Sequence, residues 1–132
     1  LYEKTRTMQL TQADGTVHRT VPLPEPQAGD TLDVVFDVHA GDHREHGRKR
    51  IGSDHLRCTF VAAGPPDCIS HATLGSSMLV VAGQPARIVL GTGRYVGATG
   101  RVVSVKEVKG VPPSTIRHND IDAVVRVRTP GR

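Results

Sequence analysis

There is no tryptophan in this 132-residue chain, and its only aromatic side chains are Tyr2, Tyr95, Phe36 and Phe60. That scarcity excludes a core built on large rings and leaves the packing to aliphatic residues, valine above all. No apolar run approaches the roughly 20 residues of a membrane helix. The longest, Met78 to Ala82, is the size of a strand, so no membrane partner is expected. Cysteine is limited to Cys58 and Cys68, which flank the turn Val61 to Asp67, where a hairpin could bring them face to face. No stretch reads as a signal peptide. The chain opens on Leu1 rather than methionine, and the expectation is that something preceded it.

Acidic residues are outnumbered, 13 against 17 lysines and arginines, for a net charge of +4. Much of the excess sits in His43 to Arg50 and in Arg126 to Arg132. Single-strand binders interleave stacking aromatics with such charge. Neither cluster contains an aromatic, so no nucleic-acid partner is expected and solvated loop and tail is the plainer reading.

What the chain does have is valine, fourteen glycines and nine prolines. β-Branched residues suit a pleated, half-buried surface, and frequent Gly and Pro break the chain into short pieces. Period-two alternation predicts strands over Tyr2 to Leu10, weakly over Thr16 to Val21, then over Thr31 to His39, Arg50 to Val61, Cys68 to Leu74, Ser77 to Ala82, Ala86 to Leu90, Arg101 to Val108 and Asp120 to Arg128. Residues 22–30 form a Pro-rich connection, 40–49 a polar loop and 129–132 a basic tail. No helix is convincing. The fold class is all-β, a single domain over 1–132, and a meander of about eight strands closes most economically into a small antiparallel barrel whose lumen is filled or holds one small ligand. On the third strand Val34, Phe36 and Val38 share a face. If it points inward the lumen is apolar; if outward, it needs a homodimer or homotrimer partner.

Four glycines, Gly91, Gly93, Gly97 and Gly100, crowd around Arg94 and Tyr95. A phosphate loop would need GK[ST] and a following helix, and neither is present. The glycines instead suit a bulged strand crossing with close backbone approach. Gly91-Thr92-Gly93-Arg94-Tyr95-Val96-Gly97-Ala98-Thr99-Gly100 resembles the glycine signature of the allene oxide cyclase barrel-like and dirigent families. Upstream, Gly29-Asp30, Gly41-Asp42, Arg50-Ile51-Gly52 and Cys58 follow the order of landmarks in plant allene oxide cyclases, and Leu1-Tyr2-Glu3 is similar to their first strand. The form Arg94-Tyr95-Val96-Gly97-Ala98-Thr99-Gly100 is also similar to bacterial barrels that catalyse [4+2] cyclisation of spirotetronate-type polyketides. Thr5 and the region of Phe36 depart from the plant pattern, where asparagines help hold an epoxide.

The resemblance implies a calycin-like barrel that binds a hydrophobic linear intermediate and templates its ring closure. Holding a flexible chain in one reactive conformer lowers the barrier by several kcal/mol or more and needs no cofactor. By resemblance Glu3 is the first catalytic candidate, with an exposed strand-end carboxylate as the alternative. Tyr95 is the second, as a hydroxyl capping the pocket or as packing over the glycines. Phe36, Cys58, Phe60, Arg57 and Glu107 are substrate-binding candidates. Arg57 shares a face with His55 and Thr59, and Glu107 shares one with Arg101, Val103 and Val105. Cys58 reads as an inert packed thiol, a pocket thiol, or half of a bridge to Cys68 across the turn between them. Among the seven histidines, His39, His43 and His46 share the polar loop with Asp42 and Glu45, but the basic residues beside them compete with any cation, so no metal is expected; His118 stands alone in a later loop. The expected location is cytoplasmic, with secretion as the alternative. The rival function is a secreted barrel, binding or structural, without turnover.

Overall fold

The computed structural model describes residues 1–20, 23–108 and 120–130. Nine strands follow one another: β1 (Tyr2–Thr11), β2 (Val17–His18), β3 (Thr31–His39), β4 (Gly52–Thr59), β5 (Asp67–Leu74), β6 (Ser77–Ala82), β7 (Arg87–Gly91), β8 (Thr99–Glu107) and β9 (Ile121–Arg128). The one helical element among the described residues is a 3₁₀ turn, Gly93–Tyr95. All pairings are antiparallel in a single sheet of order β2-β1-β3-β4-β5-β6-β7-β8-β9, and β1 also pairs with β9, which closes the ring. The chain is an all-β barrel.

Alternation sets which side chains enter the ring. On β3, Val34, Phe36 and Val38 are buried at 5%, 4% and 1% exposure, so the apolar stripe faces inward and Asp33, Asp37 and His39 stand on the outer face. Three bulges, on β1, β7 and β8, shift this phase. On β1 the register jumps between Thr5 and Thr7, so Glu3 and Met8 lie on one side despite their odd spacing. On β8 it jumps between Val102 and Ser104. Val102 and Val105 therefore both face in, opposite Val125 and Ala123, while Arg101 faces out opposite Arg126. This separates Glu107 from Arg101, which strict alternation had put on one face.

One part of the barrel interior is solid: Met8, Leu10, Leu23, Val34 and Phe36 form a core, with Leu32, Leu56 and Ile121 packed against it. Each such side chain contributes about 1.5–3 kcal/mol by leaving water. Leu23 belongs to the Pro-rich connection, whose Pro22 lies outside the described residues. That segment is tied down by buried Asp30, whose carboxylate accepts from the amides of Ala13 at 3.1 Å and Gln27 at 2.8 Å. The polar loop 40–49 crosses the outer face and stacks His46 on the Tyr2 ring, 4.6 Å between centres. The tail residues 131–132 and His118 also lie outside the described residues.

The glycine stretch is a tight reversal between β7 and β8 rather than a continuous strand crossing. Gly93 has φ +58°, and a Cβ there would sit 2.4 Å from Ser77 Oγ; Gly100 has φ +151°, and a Cβ would sit 1.9 Å from the Arg126 carbonyl oxygen. Only glycine suits either place. Gly91 and Gly97 share the same reversal, Gly91 lying against the Tyr95 backbone.

Candidate functional site

Where the core stops, the barrel holds a cavity of about 550 Å³. Its walls come from β1, β3, β4, β5, β6, β8 and β9 and are mostly aliphatic: Leu1, Val38, Leu74, Leu79, Val81 and Val102 among them. A cavity of this size fits a drug-sized apolar molecule. The polar side chains reaching it are few: Glu3, Asp54, Ser70, Gln84 and Tyr95.

Glu3 and Asp54 come from β1 and β4, on either side of β3, where their pairing partners Val38 and Phe36 point the same way. Both carboxyls are buried, at 5% and 7% exposure. Burial first, then the hydrogen bond and charge of Asp54, push the Glu3 pKa up from 4.5 to about 10. The pair thus keeps a proton on Glu3 at neutral pH, as two close carboxyls away from water must. Ser70 Oγ donates to Asp54 Oδ1 and fixes that carboxyl. Glu3 Oε1 is buried with no hydrogen-bond partner among the described residues. An unsatisfied polar atom in an apolar wall costs about 1–3 kcal/mol.

The other candidates divide. Phe36 and Tyr95 line the cavity. Tyr95 sits in the 3₁₀ turn with the Arg94 guanidinium 4.9 Å from its ring centre. Arg57 does not line it: it is on the outer face, because its partner across the sheet is outward Asp33, whose Oδ1 it meets at 2.8 Å. Burial works to raise the Asp33 pKa, but hydrogen bonds and charge from Arg57 and His55 together hold it below the ordinary value. Phe60 lies past the end of β4, its backbone bonded to Gly29 and Asp30, outside the cavity lining. Glu107 is exposed at the end of β8, opposite Ile121, also outside the lining. Cys58 is neither a packed nor a pocket thiol. It is bridged to Cys68, directly opposite on β5 with Cα atoms 4.1 Å apart, and Cys68 is the half that touches the cavity.

Asp54 and Ser70 were not singled out from the sequence. Asp54 does carry a signal: on the pattern of β4 it shares a face with Leu56 and Cys58, an acid on an apolar stripe. The loop histidines serve the outer wall. His43 bonds Asp122 through both its backbone amide, at 2.8 Å, and its ring Nδ1. His39 and His46 each place Nδ1 on the Gly47 carbonyl, at 2.9 and 3.0 Å. Among the described residues no three His, Cys, Asp or Glu side chains gather as a metal site. No helix there is long and apolar enough to cross a membrane.

No family model matches the chain and no curated protein matches it. Among solved structures, one described as pyocyanin demethylase is similar in fold, with a TM-score of 0.53 over 92% of this chain and 99% of that chain, at 14% identity. At that identity the likeness speaks for a small β-barrel and not for the narrower allene oxide cyclase superfamily.

Proposed function

We propose that this barrel takes a hydrophobic small molecule into its lumen and catalyses its rearrangement, a ring closure of a linear polyketide-type intermediate, without a cofactor. The observation that carries this reading is the protonated Glu3 beside Asp54 in an otherwise aliphatic cavity. A neutral carboxylic acid in an apolar site is a strong hydrogen-bond donor to oxygen or nitrogen where negative charge develops. On ligand entry the Glu3 proton turns from Asp54 to a carbonyl or ring heteroatom of the substrate and polarises it. Meanwhile the walls hold the chain folded, which supplies most of the rate by orientation. Tyr95, which also lines the cavity, offers a second hydroxyl. The fold neighbour, named as a demethylase of pyocyanin, supports the broader idea that such a barrel can process a small molecule.

The experiment is native mass spectrometry of the protein isolated from its own producing organism, followed by turnover assays on whatever molecule is retained. A retained linear precursor or its cyclised product, with turnover reduced at least about a hundredfold in Glu3→Gln as for loss of one preorganised donor, is the expected result. An empty barrel that takes up no apolar dye would overturn the reading.

The Cys58–Cys68 bridge favours a second reading. Disulfides persist in oxidising compartments, so it supports secretion over the cytoplasm and keeps a secreted, non-catalytic binding barrel in play. That protein would retain ligand unchanged, with binding rather than turnover altered by Glu3→Gln.

A further inference from the structure

The outer wall carries a second feature that the lumen chemistry does not use. Across three adjacent strands the register places Arg87 of β7 opposite Arg101 of β8, and Arg101 opposite Arg126 of β9. Arg128, two residues along β9 and on the same face, stands opposite Thr99. Together with Gly100 and Pro85 these side chains line a shallow groove of about 500 Å³, and among the described residues no acidic one lines it. All four arginines are exposed, and among the described residues none has an ion pair or side-chain hydrogen bond.

Like charges directly opposite one another weaken a sheet. Elsewhere on the outer wall the same fold avoids that: Arg57 and His55 share Asp33, and Arg6 and Arg50 share Asp37. The arginine row lacks such a partner, although Asp122 lies further along β9, where it serves His43. With strands about 4.8 Å apart and alternate residues about 7 Å apart along a strand, the four guanidinium groups spring from a patch about 10 Å by 7 Å. Guanidinium groups meet phosphate oxygens in pairs, through forked parallel hydrogen bonds. The Thr99 hydroxyl adds a donor, and among the described residues no aromatic lines the groove to stack a base.

We infer that the Arg87, Arg101, Arg126 and Arg128 groove is a binding site for a compact polyanion carrying adjacent phosphate groups, of the pyrophosphate class. The site is independent of the lumen, so either reading can fail without the other. It is tested by calorimetric titration of the full chain with sodium pyrophosphate, orthophosphate and a short heparin fragment, at about 0.15 M ionic strength, where screening acts beyond about 8 Å. Saturable pyrophosphate binding is expected, tighter than that of orthophosphate and weakened at least about tenfold in the Arg101→Gln/Arg126→Gln double variant, which loses two charged donors. The variant should fold: without anion it should melt at or above the parent temperature, because repulsion is relieved. Absence of saturable pyrophosphate binding, or binding unchanged in the double variant, overturns the inference. Heparin binding without pyrophosphate binding also overturns it, in favour of a polymeric anion.

Discussion

Glu3 keeps its proton because the alternative is a bare carboxylate in hydrocarbon beside another acid, and that preference has a stability consequence. In the unfolded chain a glutamate ionises near 4.5; in the fold Glu3 does so at about 10. Between those values the folded state binds the extra proton, so the contribution of this group is full below the lower value and is lost as pH rises toward the upper one. Glu3→Gln removes the titration. The variant should match the parent at about pH 4 and exceed it at about pH 8, by on the order of a few kcal/mol. Urea unfolding at the two pH values measures this, and an equal pH dependence in both proteins would mean that Glu3 is ionised in the fold. Glu3 was legible in the sequence only through its similarity to a first strand in known barrels. For Asp54 the sequence shows only its place on the stripe of Leu56 and Cys58. Its role depends on a neighbour two strands away that no local pattern reports.

At the scale of elements, alternation was enough where strands run unbroken. Thr31–His39 and Ser77–Ala82 have the bounds read from the sequence, and the remaining strands shift by a few residues at their ends. It failed at the bulges. A bulge adds one residue on one strand, so the faces assigned to Glu107 and Arg101 came apart, and nothing in the composition of β8 announces the jump. The β4–β5 hairpin left the sequence reading open, since two cysteines flanking a turn can be thiols or a bridge. In the structure they lie opposite each other and are joined, closing a loop of sequence separation 10. A link over so short a loop stabilises by about 2–3 kcal/mol on the chain-entropy account. Denatured protein without reductant should show no reactive thiol. The Cys58→Ser/Cys68→Ser variant should unfold at lower urea, by a shift corresponding to about 2–3 kcal/mol; two titratable thiols in the untreated protein would remove the bridge and with it the argument for secretion.

The whole molecule is a container whose ring closes over a short seam. β1 meets β9 in two register pairs, Tyr2 with Asp122 and Glu3 with Ile121, and side chains reinforce that contact. The Tyr2 hydroxyl donates to Asp120, which also accepts from the Thr5 amide at 2.9 Å. Burial, then the Asp120 carboxylate, pushes the Tyr2 pKa up to about 12. Glu3 is therefore placed by the same seam that completes the barrel. The barrel class was legible because antiparallel strands of this number leave exposed edges unless they close. The volume of the lumen was not, because it depends on where Met8, Leu10 and Leu23 stop filling the interior, and that is a property of packing. A consequence can be tested at this scale. Ala72 lines the cavity between Asp54 on β4 and Leu79 on β6. In Ala72→Phe the ring would occupy the lumen while leaving both carboxyls in place. A ligand that binds only the folded protein at about a hundred times its dissociation constant stabilises it by about 2.7 kcal/mol. The parent protein should gain a melting shift of that order from an apolar lumen ligand, and Ala72→Phe should melt near the unliganded parent yet gain nothing. If the filled variant took up the ligand as well as the parent does, the apolar molecule would have to sit on the outer wall. Glu3 and Asp54 would then be a buried structural pair, and the lumen would be no site at all.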